Sequence, residues 1–251
     1  MITIQLFITC LLDILYPDAG EAVVEVLERV GARVEFPGGQ TCCGQPAYNA
    51  GLRLEARRVA EHTIQVFEPT SGPVIVPSGS CAAMIRHHYA ELFAQDPAWL
   101  PRAQALAERT FEFCEYLVDE LGVTDVGASF PGPVSYHPSC HLLRDLGIDR
   151  QPRLLLEFVR QQGNPEQKLE VLPLEDAEEC CGFGGVFSIE HPEISAAMLE
   201  RKLANLEATS SSVLVAGDAG CITHLNGGLH RQGRAQRAVH IAEVLRSGWE
   251  R

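Results

Sequence analysis

The stretch Thr41-Cys42-Cys43-Gly44 has a counterpart in Glu179-Cys180-Cys181-Gly182. Each Cys-Cys-Gly unit has a single cysteine upstream, separated by 31 residues in the first case and 39 in the second, and another downstream, separated by 37 and 39 residues. An internal repeat of this kind predicts two copies of one structural module. The two sets of four cysteines are Cys10, Cys42, Cys43, Cys81 and Cys140, Cys180, Cys181, Cys221.

Between these cysteines the sequence alternates between strand-like and helix-like patterns. Strands are predicted at residues 2–6 (extended through residue 8), 33–36, 74–76, 134–136, 169–172 and 213–216. Helices are predicted at residues 17–31, 52–67, 81–93, 153–162 and 192–208. Strands that alternate with helices form parallel sheets through right-handed crossovers. We therefore predict an α/β fold of two pseudo-symmetric repeated modules, each a parallel sheet flanked by helices. The modules are residues 1–127 and 128–251, which meet in the Gly- and Pro-rich stretch 127–133.

The composition is that of an acidic globular protein. Of the 251 residues, 46% are hydrophobic and 21% are charged, and the net charge of −13 argues against a phosphate-binding surface and hence against nucleic acid. No apolar run is long enough to span a bilayer, and the start lacks the features of a signal peptide, so we expect a cytoplasmic protein. In that reducing compartment, nine cysteines favour metal or redox chemistry over disulfide bonds.

Every cysteine of the two sets follows a predicted strand. Loops at the carboxyl ends of parallel strands converge on one edge of the sheet, so each set is expected to meet there. Cys81 and Cys221 also open predicted helices, where the positive end of the helix dipole favours a thiolate. Four thiolates on three converging loops suit a [4Fe–4S] cluster, and Gly44 and Gly182 are expected to let the backbone approach it. The predicted ligands of one cluster are Cys10, Cys42, Cys43 and Cys81, and those of a second are Cys140, Cys180, Cys181 and Cys221. The alternative is that only one of the two modules holds a cluster.

Other interpretations of these residues remain open. Structural zinc bound by four cysteines is the main alternative to a cluster, although the short C-x-x-C knuckles typical of zinc sites are absent. His137, His141 and His224 lie beside cysteines of the second set, where they could donate to cluster sulfides, replace a ligand, or have only local structural roles. Cys114 has no counterpart in the other module and is predicted to be a small core residue.

Long strings around both cysteine sets resemble the CCG, or cysteine-rich, domain family. That family includes the cysteine-rich subunit of heterodisulfide reductase and the iron–sulfur subunits of glycolate oxidase and glycerol-3-phosphate dehydrogenase, and the resemblance covers nearly the whole chain. It implies a stand-alone pair of such modules that takes part, by electron transfer, in oxidising L-lactate to pyruvate. It also implies two partner proteins, one of them a ferredoxin-like iron–sulfur protein. The strings that carry the resemblance are residues 7–11, 36–37, 40–51, 77–89, 136–141, 179–185 and 240–243.

The sequence departs from the family at one position of each module. The family pattern ends in Cys-x-x-Cys, and the first of these two cysteines is replaced by Ser78 and by Asp218. Four cysteines per module argue against the five-cysteine cluster with which heterodisulfide reductase cleaves a disulfide, and favour an ordinary electron-transfer cluster. Asp218 is predicted as an extra oxygen ligand. The alternative functions are a glycolate oxidase-like or heterodisulfide reductase-like iron–sulfur subunit, an enzyme that works alone at an open iron, and a zinc-stabilised scaffold of the complex.

Overall fold

Short, buried, parallel strands form the centre of both halves of the chain. The structure is a computed structural model that describes residues 2–249. Val74–Val76 and Val213–Ala216 are buried along their whole length, and β-branched residues suit such strands because they pack well on the pleated surface. The strands are β1 Ile2–Leu6, β2 Ala32–Glu35, β3 Val74–Val76, β4 Thr110–Glu112, β5 Ser129–Phe130, β6 Val134–His137, β7 Arg160–Gln161, β8 Asn164–Lys168, β9 Val171–Leu172, β10 Val213–Ala216 and β11 Arg237–His240.

The two main sheets have equivalent topologies. The first has the order β2-β1-β3-β4 and the second the order β9-β6-β10-β11, and all neighbouring strands are parallel. This confirms the predicted α/β fold of two pseudo-symmetric modules. A small third sheet, β5-β7-β8, was not predicted from the sequence; in it β5 and β7 are parallel and β7 and β8 are antiparallel.

Helices connect successive strands of each sheet. Three π-helical segments, Met84–His88, Tyr116–Glu120 and His141–Asp145, accompany them. The helices are α1 Cys10–Leu15, α2 Pro17–Arg29, α3 Gln45–Asn49, α4 Arg53–Phe67, α5 Gly79–Ala83, α6 Tyr89–Leu92, α7 Leu100–Glu108, α8 Phe113–Glu115, α9 Arg150–Phe158, α10 Phe187–Glu190, α11 Pro192–Glu207, α12 Ala219–Arg231 and α13 Ile241–Arg246. Within residues 2–249, no helix has both the length and the apolar character needed to cross a membrane.

Several predicted boundaries differ from the observed ones. The helix predicted at residues 153–162 ends at Phe158, because Arg160–Gln161 pairs with β5 and β8 in the third sheet. The strand predicted at 169–172 is confined to Val171–Leu172. The helix predicted to open at Cys81 begins at Gly79, because the Ser78 hydroxyl accepts a hydrogen bond from the Cys81 N–H and caps the helix two residues earlier.

The hydrophobic core runs through both modules. One cluster of buried side chains contains Ile4 and Val26 from the first module together with Val215 and Val244 from the second. Helix α2 of the first module packs against helix α13 of the second. Burial of these apolar surfaces against each other stabilises the two modules as one packed unit. The hydrophobic core is therefore continuous across the two modules. The predicted boundary between residues 127 and 128 stays a prediction.

Candidate metal centre

All eight cysteines of the two sets line one cavity of about 190 Å³. The sequence predicted that each set would gather beyond the strand ends of its own sheet, and the strand order is consistent with that expectation. It gave no indication that the two sets would face each other across a shared space. The cavity lies between the modules, and its wall also includes the two residues that replace family cysteines, Ser78 and Asp218.

Reciprocal packing between the modules brings the two sets together. Helix α5 begins at Gly79, where an added Cβ would lie 2.7 Å from the Leu142 Cβ and 2.9 Å from the Leu142 backbone nitrogen. At the equivalent place in the other half, Ala219 at the start of α12 belongs to a buried cluster with Leu12. The helix that carries the last cysteine of each module thus packs on the segment after the first cysteine of the other module.

The two cysteine sets have nearly the same internal geometry. The Sγ atoms of Cys43 and Cys81 are 3.2 Å apart, and so are those of Cys181 and Cys221. The Sγ atoms of Cys140 and Cys180 are 4.0 Å apart. The four residues of the two close pairs are buried, so their thiols lie where a soft metal would be shielded from water.

Backbone amides also donate to one sulfur in each set. The Gly44 N–H donates to the Cys42 Sγ at 3.4 Å, and the Gly182 N–H donates to the Cys180 Sγ at the same distance. Such donors stabilise a thiolate and tune the potential of a bound centre.

Hydrogen bonds between neighbouring thiols divide the cysteines into strong and weak acids. Hydrogen bonds with Cys10 and then Cys43 lower the pKa of Cys42 to about 3, whereas the pKa of Cys10 is raised by its bond to Cys42. In the second set, Cys140 and then Cys181 lower the pKa of Cys180 to about 2. Each set therefore holds a thiolate beside thiols that share their protons with it. A bound metal cation would displace those protons, because cysteine binds metals as the thiolate.

The glycine after each cysteine pair is required by the local backbone. Gly44 and Gly182 have φ angles of +90° and +91°, a left-handed conformation that favours glycine. A Cβ on Gly182 would lie 2.7 Å from the Ser195 carbonyl oxygen, and a Cβ on Gly44 would lie 3.3 Å from that of Ala56. These glycines are needed for the turn and for its packing on helices α4 and α11, and their role in letting the backbone approach a cluster stays a prediction.

Ser78 and Asp218 are joined to each other. The Ser78 hydroxyl donates to the Asp218 Oδ2 at 2.9 Å, and the Ser80 N–H donates to the same oxygen at 3.0 Å. The Gly220 N–H donates to the Asp218 Oδ1 at 3.0 Å, which caps helix α12. Asp218 thus connects the start of helix α5, which follows Ser78, with the start of helix α12, which follows Asp218 itself. Its role as an extra metal ligand stays a prediction, and three donors already occupy its carboxylate.

The three histidines near the second set lie in different environments. His137 is fully buried, and one of its ring nitrogens lies within 4.8 Å of the Sγ atoms of Cys181 and Cys221. His141 lines the cavity, with Nδ1 2.5 Å from an oxygen of Asp145. His224 is not among the residues that line the cavity, and its Nε2 lies 3.2 Å from the Ser195 hydroxyl.

His137 also affects the acidity of its neighbour. The pKa of Cys221 is lowered to about 6, first by its hydrogen bond with Cys181 and further by His137. Cys114 lies in the hydrophobic core, fully buried and outside the cavity lining, as predicted.

Two hydroxyl groups of the cavity wall were missed by the sequence reasoning. Thr9 and Ser139 each precede the first cysteine of a set, and their buried hydroxyl oxygens have no hydrogen-bond partner in the described part of the chain. Thr9 also has a φ of 67°, a strained conformation for a β-branched residue. Aligning the two repeats would have revealed a hydroxyl residue at this position in both. Unsatisfied hydroxyls beside eight thiols fit a wall that contacts a bound group.

Known proteins resemble this chain along its whole length. A family model described as cysteine-rich domain, CCG, matches residues 4–86 and 134–226. A lactate utilization protein A from Exiguobacterium sp. is 47% identical over 99% of this chain and 98% of its own. Proteins of the same name from Oceanobacillus iheyensis and Bacillus pumilus are 45% and 46% identical, over 96% and 97% of this chain and 96% and 99% of their own. Because the domain model matches both modules and these relatives align end to end, the chain belongs to the CCG cysteine-rich domain family, together with the lactate utilization protein A proteins.

Proposed function

We propose that this chain is an iron–sulfur subunit that transfers electrons in a multi-protein system oxidising L-lactate to pyruvate. The observation that carries the proposal is the pair of four-thiol sets lining one cavity. The name of the relatives, lactate utilization protein A, supports lactate rather than glycolate as the source of electrons. The two-electron oxidation of a 2-hydroxy acid also suits a protein with two one-electron sites.

The donor chemistry supports iron–sulfur clusters at these sites. Cys10, Cys42, Cys43 and Cys81 would hold one cluster, and the equivalent residues of the second module would hold the other. When bound, [4Fe–4S] clusters accept and release single electrons. The residues of the chain exclude water from the buried thiols, hold the sulfurs close together and donate amide hydrogens from Gly44 and Gly182.

The remaining parts of the proposal concern the surroundings of the chain. We propose two partner proteins, one of them ferredoxin-like, as the source and the acceptor of the electrons, and a cytoplasmic location. The name of the relatives supports a system of several proteins. The net charge of −13 supports partners that present basic patches. Under this proposal the chain is an oxidoreductase subunit that is active only within the complex.

Anaerobic reconstitution with iron and sulfide tests the clusters. We expect about four irons per module and broad visible absorption from sulfur-to-iron charge transfer. Cys10→Ala and Cys140→Ala should each lose about half of the iron. Cys114→Ala is the matched control, because Cys114 is buried but lies outside the cavity, and it should keep its full iron content. Lactate and glycolate assays on the co-purified native complex then test the substrate.

A zinc-stabilised scaffold is the second candidate. It is favoured by one observation, the close approach of a His137 ring nitrogen, Cys181 and Cys221, since three such ligands suit a single tetrahedral ion. A scaffold would keep the complex assembled in an iron-free, air-exposed sample. Tightly bound zinc without charge-transfer absorption would overturn the iron–sulfur proposal in its favour.

A further inference from the structure

The two modules differ at the residue three positions before the first cysteine of each set. That residue is Phe7 in the first module and His137 in the second. Both side chains are fully buried at the end of a central strand. Phe7 packs on Phe67 with ring centroids 5.7 Å apart. An apolar ring therefore fills this place in one module, so packing alone does not require a polar ring in the other.

The hydrogen bonding of His137 identifies which ring nitrogen is free. Nδ1 lies 3.3 Å from the Ala177 carbonyl oxygen. A carbonyl oxygen can only accept, so Nδ1 is the donor of this contact, and in the neutral ring Nε2 presents its lone pair. Nε2 is buried and has no hydrogen-bond partner among residues 2–249. An unpaired polar atom in a buried site is costly, and a ligand that accepts its lone pair would remove that cost.

His137 lies close to two sulfurs of the second set. A ring nitrogen of His137 and the Sγ atoms of Cys181 and Cys221 all lie within 4.8 Å of one another. The ring nitrogen is therefore near enough to reach a centre that these cysteines hold. Histidine ligands also commonly donate their other N–H to a backbone carbonyl, which fixes the ring, and the Ala177 contact is of this kind.

We propose that His137 is a metal ligand of the centre held by the second cysteine set, through Nε2 and in place of one of the four thiolates, and that the first set has no histidine ligand. This rests on the proposed function, since it takes the second set to hold an iron–sulfur centre. It goes further by making the two centres chemically different. Neutral imidazole brings less negative charge to iron than a thiolate does, and histidine ligation raises the reduction potential of iron–sulfur centres. The second centre is then the better electron acceptor, and electrons pass from the first module to the second.

The test measures nitrogen ligation directly on the full-length, reconstituted chain. Pulsed electron–nuclear spectroscopy on the reduced protein, labelled with ¹⁵N-histidine, should reveal a strong coupling to a histidine nitrogen in the unmutated chain. His137→Phe, which copies the residue of the first module, should lose this coupling. Iron then takes a thiolate or hydroxide in place of imidazole, so the midpoint potential of one of the two centres should shift downward while the other stays unchanged.

His141→Gln is the matched control, because His141 lines the cavity and follows a cysteine of the same set. It should keep the histidine coupling. Full iron loading without any histidine coupling in the unmutated chain would overturn the ligand assignment and leave the proposed function standing. Coupling that survives in His137→Phe and disappears in His141→Gln would also overturn it. A chain that takes up no iron would overturn both the ligand assignment and the proposed function. If His137→Phe does not fold, the labelled unmutated chain still tests whether a histidine is a ligand, and coupling that survives in His141→Gln excludes His141 as its source.

Discussion

Replacing Asp218 is expected to destabilise the whole chain, because its carboxylate joins the two modules. The Asp218→Ala change removes the acceptor of three hydrogen bonds, from the Ser78 hydroxyl and from the N–H groups of Ser80 and Gly220. Only 6% of Asp218 is exposed, so water cannot fully replace the lost acceptor. Each hydrogen bond to a charged group contributes about 1.5–3 kcal/mol, and the carboxylate regains some hydration when the protein unfolds. We therefore expect a loss of about 3–5 kcal/mol in the free energy of unfolding.

Two further variants make this prediction specific. Asp218→Asn keeps one oxygen for the Gly220 N–H but turns its amide hydrogens towards the Ser80 N–H, so its cost should be smaller, about 1–3 kcal/mol. Asp18→Ala is the control, because Asp18 is an exposed residue in the first turn of α2 and should cost less than about 1 kcal/mol. The assay is equilibrium urea unfolding of the metal-free chain under reducing, anaerobic conditions, followed by circular dichroism. A loss for Asp218→Ala no larger than that for Asp18→Ala would refute the bridge between the modules.

The remaining predictions concern a buried acid and a close contact. Burial raises the pKa of Glu112 from its usual 4.5 to about 8, so between these two values the folded chain keeps a proton that the unfolded chain has lost. The free energy of unfolding of the chain should therefore fall as the pH rises through that window, by up to about 5 kcal/mol. Glu112→Gln should flatten the profile of unfolding free energy against pH. Parallel profiles for the two proteins would contradict this. Gly79→Ala should cost about 1–3 kcal/mol in urea unfolding, because its Cβ would meet the backbone of Leu142. The control is Gly217→Ala, whose Cβ would lie an ordinary 3.5 Å from the same leucine, and equal losses in the two variants would show that the clash is relieved.

The sequence was sufficient for features that depend on local pattern or on the repeat. The apolar strand at Val74–Val76, the helix at Arg53–Phe67 and both cysteine sets follow from spacing alone, because each is fixed by neighbours in the chain. Strand β7 was mistaken for the end of a helix because two residues are too few to show a period of two, and only pairing with β5 and β8 makes them a strand.

The arrangement of the two cysteine sets around one cavity could not be predicted from the sequence. The two cysteine sets face each other because Gly79 meets Leu142 and Ala219 meets Leu12, and no pattern in the sequence links these positions. His137 is a different case. The difference from Phe7 could be found by aligning the repeats, but its buried position beside two sulfurs could not.

The link between Ser78 and Asp218 also has a consequence for the order of events during synthesis. These residues are 140 positions apart, and contacts of such long range form late because closing the loop between them costs entropy before any contact repays it. The wall between the modules is complete only after Asp218 has been synthesised and the second module has folded. Under the proposed function, a centre held by Cys10 and its set would be enclosed on that side only when both modules have packed together.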